Sequence, residues 1–393
     1  MFVAGCIVFA LLLAGCGADT GPQRQPAVCT LHCDPTASAA FIESRLDDDD
    51  GDGNPRDEDF PVINDEDDDI ADHTWARDRF GTYHLFFHTE GIYAPSQIEH
   101  YTTADFRTFY YQGTALRPSS AAWEASGLWA PHIVEYGGTW FMFYAGNEGT
   151  GPGSKERIGL ATSTDLYTWT RYPVNNCPGT AGNGCVYDCA EGWTTWGNAP
   201  GSWNQQCRDP FVIRDDVNGC WLLFATAKST NGYGVVTVAH STNLRDWSGA
   251  GFINATRRLA GGRGGQPTGG QCENPFVMSH DGTRYLLFTD WQDPEDSLNV
   301  QPPRTQVQYA TSATLAVDST GSANWIYRGY TPDPAVNAIE VLQTGDGTWL
   351  MSQRIANPLN PYYNRRGALV LKCILWASDG TFTTENVSFS CGG

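Results

Sequence analysis

The chain has 393 residues, 41% of them hydrophobic and 12% aromatic, with a formal net charge of −20. Its length and apolar content exclude a largely disordered polypeptide and leave room for one large domain or two ordinary ones. Because 13 of the 44 acidic residues fall between Asp47 and Asp69, the remainder is only mildly acidic, and no Lys/Arg cluster points to nucleic acid or to an anionic membrane surface.

Residues 1–15 form an apolar run too short to span a bilayer as a mature helix, which reads as an export signal. Leu13-Ala14-Gly15-Cys16 resembles a bacterial lipoprotein signal, with cleavage before Cys16 and lipid on its thiol; the protein would then sit on the bacterial cell envelope, held to the membrane by its N-terminus. An ordinary cleaved signal peptide is the other reading. Residues 16–63 are rich in Pro, Asp and Gly and read as a disordered acidic tether ahead of a body at 64–393. Within the tether, Asp48, Asp50, Asp52, Gly53 and Asp59 are spaced much as in a calcium loop, yet Pro55 and the lack of flanking apolar helices favour a solvated linker. Calcium is thus an optional ligand, and no cofactor is required.

Export places the later cysteines in an oxidising compartment. Ten follow Cys16: Cys29, Cys33, Cys177, Cys185, Cys189, Cys207, Cys220, Cys272, Cys373 and Cys391. They allow up to five disulfides, with Cys373–Cys391 expected to close the C-terminus and Cys177, Cys185 and Cys189 expected to staple a local loop. The short Cys29/Cys33 spacing leaves zinc as a rival reading there.

The body repeats itself. A turn glycine, an aromatic and an apolar run recur at Gly81, Gly138, Gly219, Gly282 and Gly347, 57 to 81 residues apart. A second element, "YTTADFRTF" from Tyr101, returns as "ATSTDLYTW" from Ala161 and "AHSTNLRDW" from Ala239, and more loosely from Ala310. A third precedes each glycine by about one strand: Asp72-His-Thr-Trp-Ala, Trp129-Ala-Pro-His, Asp209-Pro-Phe-Val, Glu273-Asn-Pro-Phe and Glu340-Val-Leu. Short strands, regular turn signals and almost no helical periodicity predict an all-β chain, and four strands per long repeat predict a five-bladed β-propeller with four-stranded antiparallel blades rather than a jelly roll. A Cys-rich insertion interrupts the repeat at about 173–207.

In a propeller the innermost strands line a central channel, so the residues that begin them converge. Asp72, Asp209 and Glu273 stand at strand starts, nine residues separate Asp72 from Gly81 and Glu273 from Gly282, and the acids are expected at equivalent places in their repeats. Glu340 is a fourth, in the last unit. Trp75, Trp129 and Trp291 lie near the same strand starts and could wall a sugar site or pack between blades; Trp193, Trp196 and Trp203 in the insertion could cover it. Arg208 could orient Asp209, contact substrate, or simply pair with its neighbour. His84 and His132 read as packing residues, and the role of His73 is open.

This arrangement resembles the five-bladed propeller glycoside hydrolases, families 43, 32, 62 and 68 and their relatives, over about residues 65–379. "TYHLFFH" after Asp72 is similar to the first blade of families 43 and 32, and "WAPHIVEYGGTWFMFYAG" from Trp129 to the second blade of family 43. "CRDPFVIRD" contains the Arg-Asp-Pro of family 32, and "CENPFV" puts Glu273 where these families place a general acid. His73, Asn274 and a fifth unit without His depart from the pattern. The resemblance implies Asp72 as base or nucleophile, Glu273 as general acid and Asp209 as the carboxylate that tunes the acid or holds sugar hydroxyls. Glycoside hydrolysis requires such a division, one protonated acid and one ionised carboxylate across the anomeric carbon. The implied protein is a secreted, lipid-anchored, monomeric glycosidase acting on a poly- or oligosaccharide of arabinan, arabinoxylan or fructan type, with Arg208, Trp75, Trp129, Trp291 and Glu340 contacting substrate. Retention and inversion of configuration both stay open, since the outcome depends on the separation of Asp72 and Glu273, and the closeness of blades one and two to family 43 leans to inversion. A lectin-like silent propeller and a sugar phosphorylase share the fold, and the grouping of acids favours hydrolysis over both.

Overall fold

The computed structural model describes residues 29–34, 40–42, 68–91, 95–149, 154–196, 206–231, 233–254, 271–291, 305–321, 325–332, 337–356 and 367–391. Among these residues there is no helix; the strands form five antiparallel sheets that follow one another along the chain. Blade one comprises Asp68–Arg77, Tyr83–Gly91, Ile98–Thr103 and Tyr110–Leu116, and blade two Gly127–Tyr136, Thr139–Asn147, Glu156–Ser163 and Thr170–Arg171. Blade three comprises Arg208–Asp215, Cys220–Lys228, Gly234–Ser241 and Ser248–Ile253, and blade four Gln271–His280, Thr283–Trp291, Thr305–Ser312 and Ile326–Tyr330. Blade five is built of Asn337–Gln343, Trp349–Ala356, Gly367–Trp376 and Phe382–Cys391. Each first strand packs on the first strand of the next blade, and that of blade five on that of blade one, so the ring closes.

The repeats have a local physical cause. All five turn glycines have positive φ, between 67° and 94°, a region open to glycine without a Cβ clash. The second repeated element is one polar turn written three times. Asp105 Oδ1 accepts from the N–H groups of Arg107 and Thr108, Asp165 Oδ1 from Tyr167 and Thr168, and Asn243 Oδ1 from Arg245 and Asp246, all at 2.7–3.0 Å. The apolar cores lie between sheets: Phe86, Leu128 and Tyr144 between blades one and two, Phe143, Val212 and Leu223 between two and three, and Leu85, Leu350 and Leu371 between one and five.

Two sequence expectations fail at the N-terminus. Part of the predicted tether is folded: Cys29–Cys33 adds an outermost strand to blade five, with Cys29 opposite Cys391 and Cys33 opposite Val387, and Ala40–Ile42 pairs with Gly367–Trp376. The exposed edge of Phe382–Cys391 offers unpaired backbone groups, and a strand from the other end of the chain satisfies them. The partner of Cys373 is accordingly Cys33, across 340 residues, and not Cys391. Within the insertion, Cys177–Cys185 and Cys189–Cys207 are bonded, as the expected local staple, whereas Cys220 and Cys272 are free thiols. The signal, Cys16, the acidic calcium-like loop and Trp203 lie outside the described residues.

Candidate active site

Every innermost strand carries a β-bulge at the same place, shown by a register shift between Ile70 and His73, Trp129 and His132, Arg208 and Phe211, Glu273 and Phe276, and Asn337 and Glu340. The bulge spans a window of four residues, and in blades two to five its second residue has a left-handed φ: Ala130 at 45°, Asp209 at 53°, Asn274 at 50° and Ala338 at 48°. Asp and Asn tolerate this conformation better than Ala does. The third residue, Pro131, Pro210 or Pro275 in blades two to four, sits inside the bulge, where its missing N–H costs no ladder bond.

A central cavity is lined by this window from all five blades: Asp72 with His73, Ala130 with Pro131, Asp209 with Pro210, Asn274 with Pro275, and Ala338, Ile339 and Glu340. Asp72, Asp209 and Glu340 line this cavity, whereas Glu273 does not and is joined to Asp209 through Arg208; the equivalence expected of the acids is absent. Within the window Glu273 is first, Asp209 second, Asp72 third and Glu340 fourth. The equal spacing to the turn glycine misleads because blade one turns over five residues, between paired Arg77 and Tyr83, and blade four over two, between His280 and Thr283. The blade-one glycine comes two residues later in its turn, which offsets the two-residue difference between Asp72 and Glu273.

Asp209 is buried, and its Oδ2 accepts from Thr226 Oγ1 at 2.8 Å and from the Asn274 N–H at 3.1 Å. Burial pushes its carboxyl up to about 6, with Arg208 pulling down and the charge of Asp72 pushing up. Asp72 Oδ2 lies 3.9 Å from His88 Nδ1, which accepts the Ala130 N–H at 3.2 Å. Burial raises Glu340 well above the usual carboxylate range, aided by the charge of Asp72 and opposed by a hydrogen bond from Thr74. Arg208 joins the acids: Nη2 donates to Glu273 Oε1, Nη1 reaches Glu156 Oε2 at 3.1 Å, and Nε lies 3.5 Å from Asp209 Oδ2. It is thus more than the partner of its sequence neighbour.

The tryptophans divide. Trp75 is no subsite wall: it is buried between blades one and five, 5.5 Å from the Phe106 ring, with Nε1 donating to Ser352 Oγ at 2.9 Å. Trp129 occupies the first window position of blade two, the place held by Arg208 and Glu273 in blades three and four, with its ring 6.4 Å from that of His88. Trp291 ends the strand Thr283–Trp291, and its side chain lies outside the described residues. In the insertion Trp196 is buried under Lys155 and Arg157, and Trp193 donates to Thr237 Oγ1. His73 is buried, its Nε2 2.6 Å from Ser352 Oγ, while His132 Nε2 faces the Val212 carbonyl at 3.0 Å and His84 is buried against His100. Glu156 went unnoticed in the sequence because it stands in no repeated position, and His88, inside "TYHLFFH", carries no signal there of its place beside Asp72. Among the described residues no group of three His, Cys, Asp or Glu side chains is placed to hold a metal.

Asp72 and Asp209 at one cavity, with Glu273 joined to Asp209 through Arg208, make a group of carboxylates of the kind that hydrolysis of a glycosidic bond requires. The family model for glycosyl hydrolases family 43 matches residues 61–382. The chain belongs to glycosyl hydrolase family 43. No curated protein matches it. Among solved structures, this family 43 glycosidase shares its fold with a Bombyx mori GH32 beta-fructofuranosidase, at 15% identity and TM-score 0.59, covering 81% of this chain and 62% of that one. An exo-1,5-alpha-L-arabinanase from a bovine ruminal metagenomic library is 19% identical with TM-score 0.54, covering 82% of this chain and 99% of that one. For the endo-arabinase of Bacteroides thetaiotaomicron the values are 16% and 0.56, with 80% and 96% covered.

Proposed function

We propose that this glycosidase cleaves furanosidic or xylosidic linkages in glycans of arabinan, arabinoxylan or fructan type, with Asp72 as base or nucleophile, Glu273 as general acid and Asp209 as the third carboxylate. The observation that carries the reading is the meeting of Asp72 and Asp209 at one cavity, with Glu273 tied to Asp209 through Arg208 and through the Asn274 N–H. Arg208, in contact with Glu273, favours its ionised form, and the carboxylate of Asp209 on the same guanidinium works against it, so the proton needed for the leaving oxygen depends on this balance. Trp129 and Glu340 are proposed to face the sugar. Two of the solved structures of similar fold are titled as arabinanases and one as a beta-fructofuranosidase, which supports a furanoside as substrate. Phosphorolysis would need a cation for phosphate, and the charge of Arg208 is engaged by three carboxylates. Export and lipidation at Cys16 are proposed from the signal-like N-terminus, with the disulfides in support.

The test is release of product from aryl-α-L-arabinofuranoside, aryl-β-D-xyloside, sucrose and levan by a chain that retains the Cys29–Cys33 strand. Turnover on one of these is expected to fall at least about 10²–10⁴-fold in Glu273→Gln and in Asp72→Asn with the melting temperature kept. A fully active Glu273→Gln protein removes Glu273 from the acid role; sugar binding without turnover on any substrate moves the reading to a silent, lectin-like propeller.

A further inference from the structure

Glu156 opens the third strand of blade two, outside the repeat and outside the cavity, yet four contacts fix it beside the acids. Its Oε2 accepts from Arg208 Nη1 at 3.1 Å and from the Cys207 N–H at 3.3 Å, its Oε1 lies 3.5 Å from the same Nη1, and its carbonyl accepts Trp196 Nε1 at 2.9 Å. The Cys189–Cys207 disulfide ties the insertion down at that point. A guanidinium presents its donors in a rigid fork, so the Nη1 that meets Glu156 cannot also turn to Glu273, which is held by Nη2. The single positive charge of the buried Arg208 is therefore divided among Glu156, Asp209 and Glu273.

We infer that Glu156 is a positioning residue of the reaction: by engaging Arg208 it limits the pull of that cation on Glu273 and lets Glu273 carry the proton that the leaving group needs. The inference rests on Glu273 being the acid. The other groups about Glu273 are Arg208 and Asp209 from blade three, the neighbouring buried thiol of Cys272, Asp290 opposite that cysteine on the second strand of blade four, and Asp72 from blade one, whose charge reaches Asp209. Arg208 is the group that contacts both Glu156 and Glu273, so a change at Glu156 reaches Glu273 chiefly through the guanidinium. Neutralising Glu156 leaves more of the positive charge facing Glu273, and an opposite charge favours the ionised carboxyl; it also removes a negative charge nearby, which works in the same direction.

The experiment is a ¹³C-carboxyl NMR titration of the glutamate-labelled full chain, with Glu273 assigned by Glu273→Gln, compared with Glu156→Gln and Glu156→Asp. In Glu156→Gln the Glu273 midpoint is expected to fall by about one pH unit, and the alkaline limb of kcat/KM to fall with it, so that activity above the limb drops about tenfold. Glu156→Asp keeps the charge and is expected to keep both. Glu156→Asn against Glu156→Asp repeats the contrast one methylene shorter if the glutamine variant does not fold. A Glu273 titration that stays in place when Glu156 is neutralised overturns the inference and leaves Glu156 as a structural ion pair, whatever the turnover. A shifted titration alongside a fully active Glu273→Gln protein instead overturns the acid role on which the inference rests.

Discussion

Ser352 shows how one hydroxyl can hold a site from behind. Its Oγ, wholly buried, meets His73 Nε2 at 2.6 Å and Trp75 Nε1 at 2.9 Å, and so fixes the residue next to Asp72 against blade five. Replacing Ser352 by Ala leaves two buried polar groups without this partner, and a loss of about 1–3 kcal/mol for an orphaned group is expected in urea unfolding, with a lower kcat as Asp72 loosens. A variant as stable as the parent would show that the two rings find other partners. Burial holds His73 at about 3, with the Arg354 charge adding to the effect, holds His100 at about 3, and holds His132 at about 4. The unfolded chain binds a proton at each of these sites below about 6.5 while the folded one does not, so stability should fall as pH drops from about 6.5 towards 4, by up to about 1.4 kcal/mol per pH unit for each histidine. Melting temperatures across that range, with His100→Gln flattening the slope, check this; an unchanged slope would assign the acid loss to other groups.

At the scale of the strand, the bulge does the positioning. Its second residue is left-handed in four blades, and in two of them, at Ala130 and Ala338, the residue is one for which that conformation is costly. Ala338→Gly is expected to be neutral or stabilising by up to about 1 kcal/mol, unlike an ordinary Ala→Gly change in a strand, and thermal unfolding decides the sign. The sequence made the strands legible because turn chemistry is local: the five glycines and the three Asp/Asn turns fall where their backbone conformations need them. The register of the acids was not legible, because it depends on which residue of the bulge window each acid occupies, and turn length in blades one and four masked the offset. Glu156 was hidden for a related reason, since its partner lies 52 residues away and nothing in the spacing announces a third-strand residue reaching Arg208.

Across the whole molecule, the first described strand is the last edge of the ring. Cys29–Cys33 lies on Phe382–Cys391, and Cys33–Cys373 makes that pairing covalent. Removing this disulfide with Cys33→Ser and Cys373→Ser frees a loop of several hundred residues in the unfolded chain, for which about 2–5 kcal/mol is expected. The loss should appear in denaturant midpoints and not in the pH profile, because Cys33 belongs to the outer edge of blade five and the acids to its inner end. A shift of the profile would instead mean that ring closure sets the geometry of the acids.

The same join sets a timetable. Residues 29–33 precede their partners, residues 382–391, by about 350 residues, and contacts between such distant segments form slowly. The cavity draws on the inner strand of every blade, so four finished blades leave one side of it open. Activity is therefore expected to return only once the fifth blade closes the ring, and its recovery from denaturant should lag the recovery of β-structure.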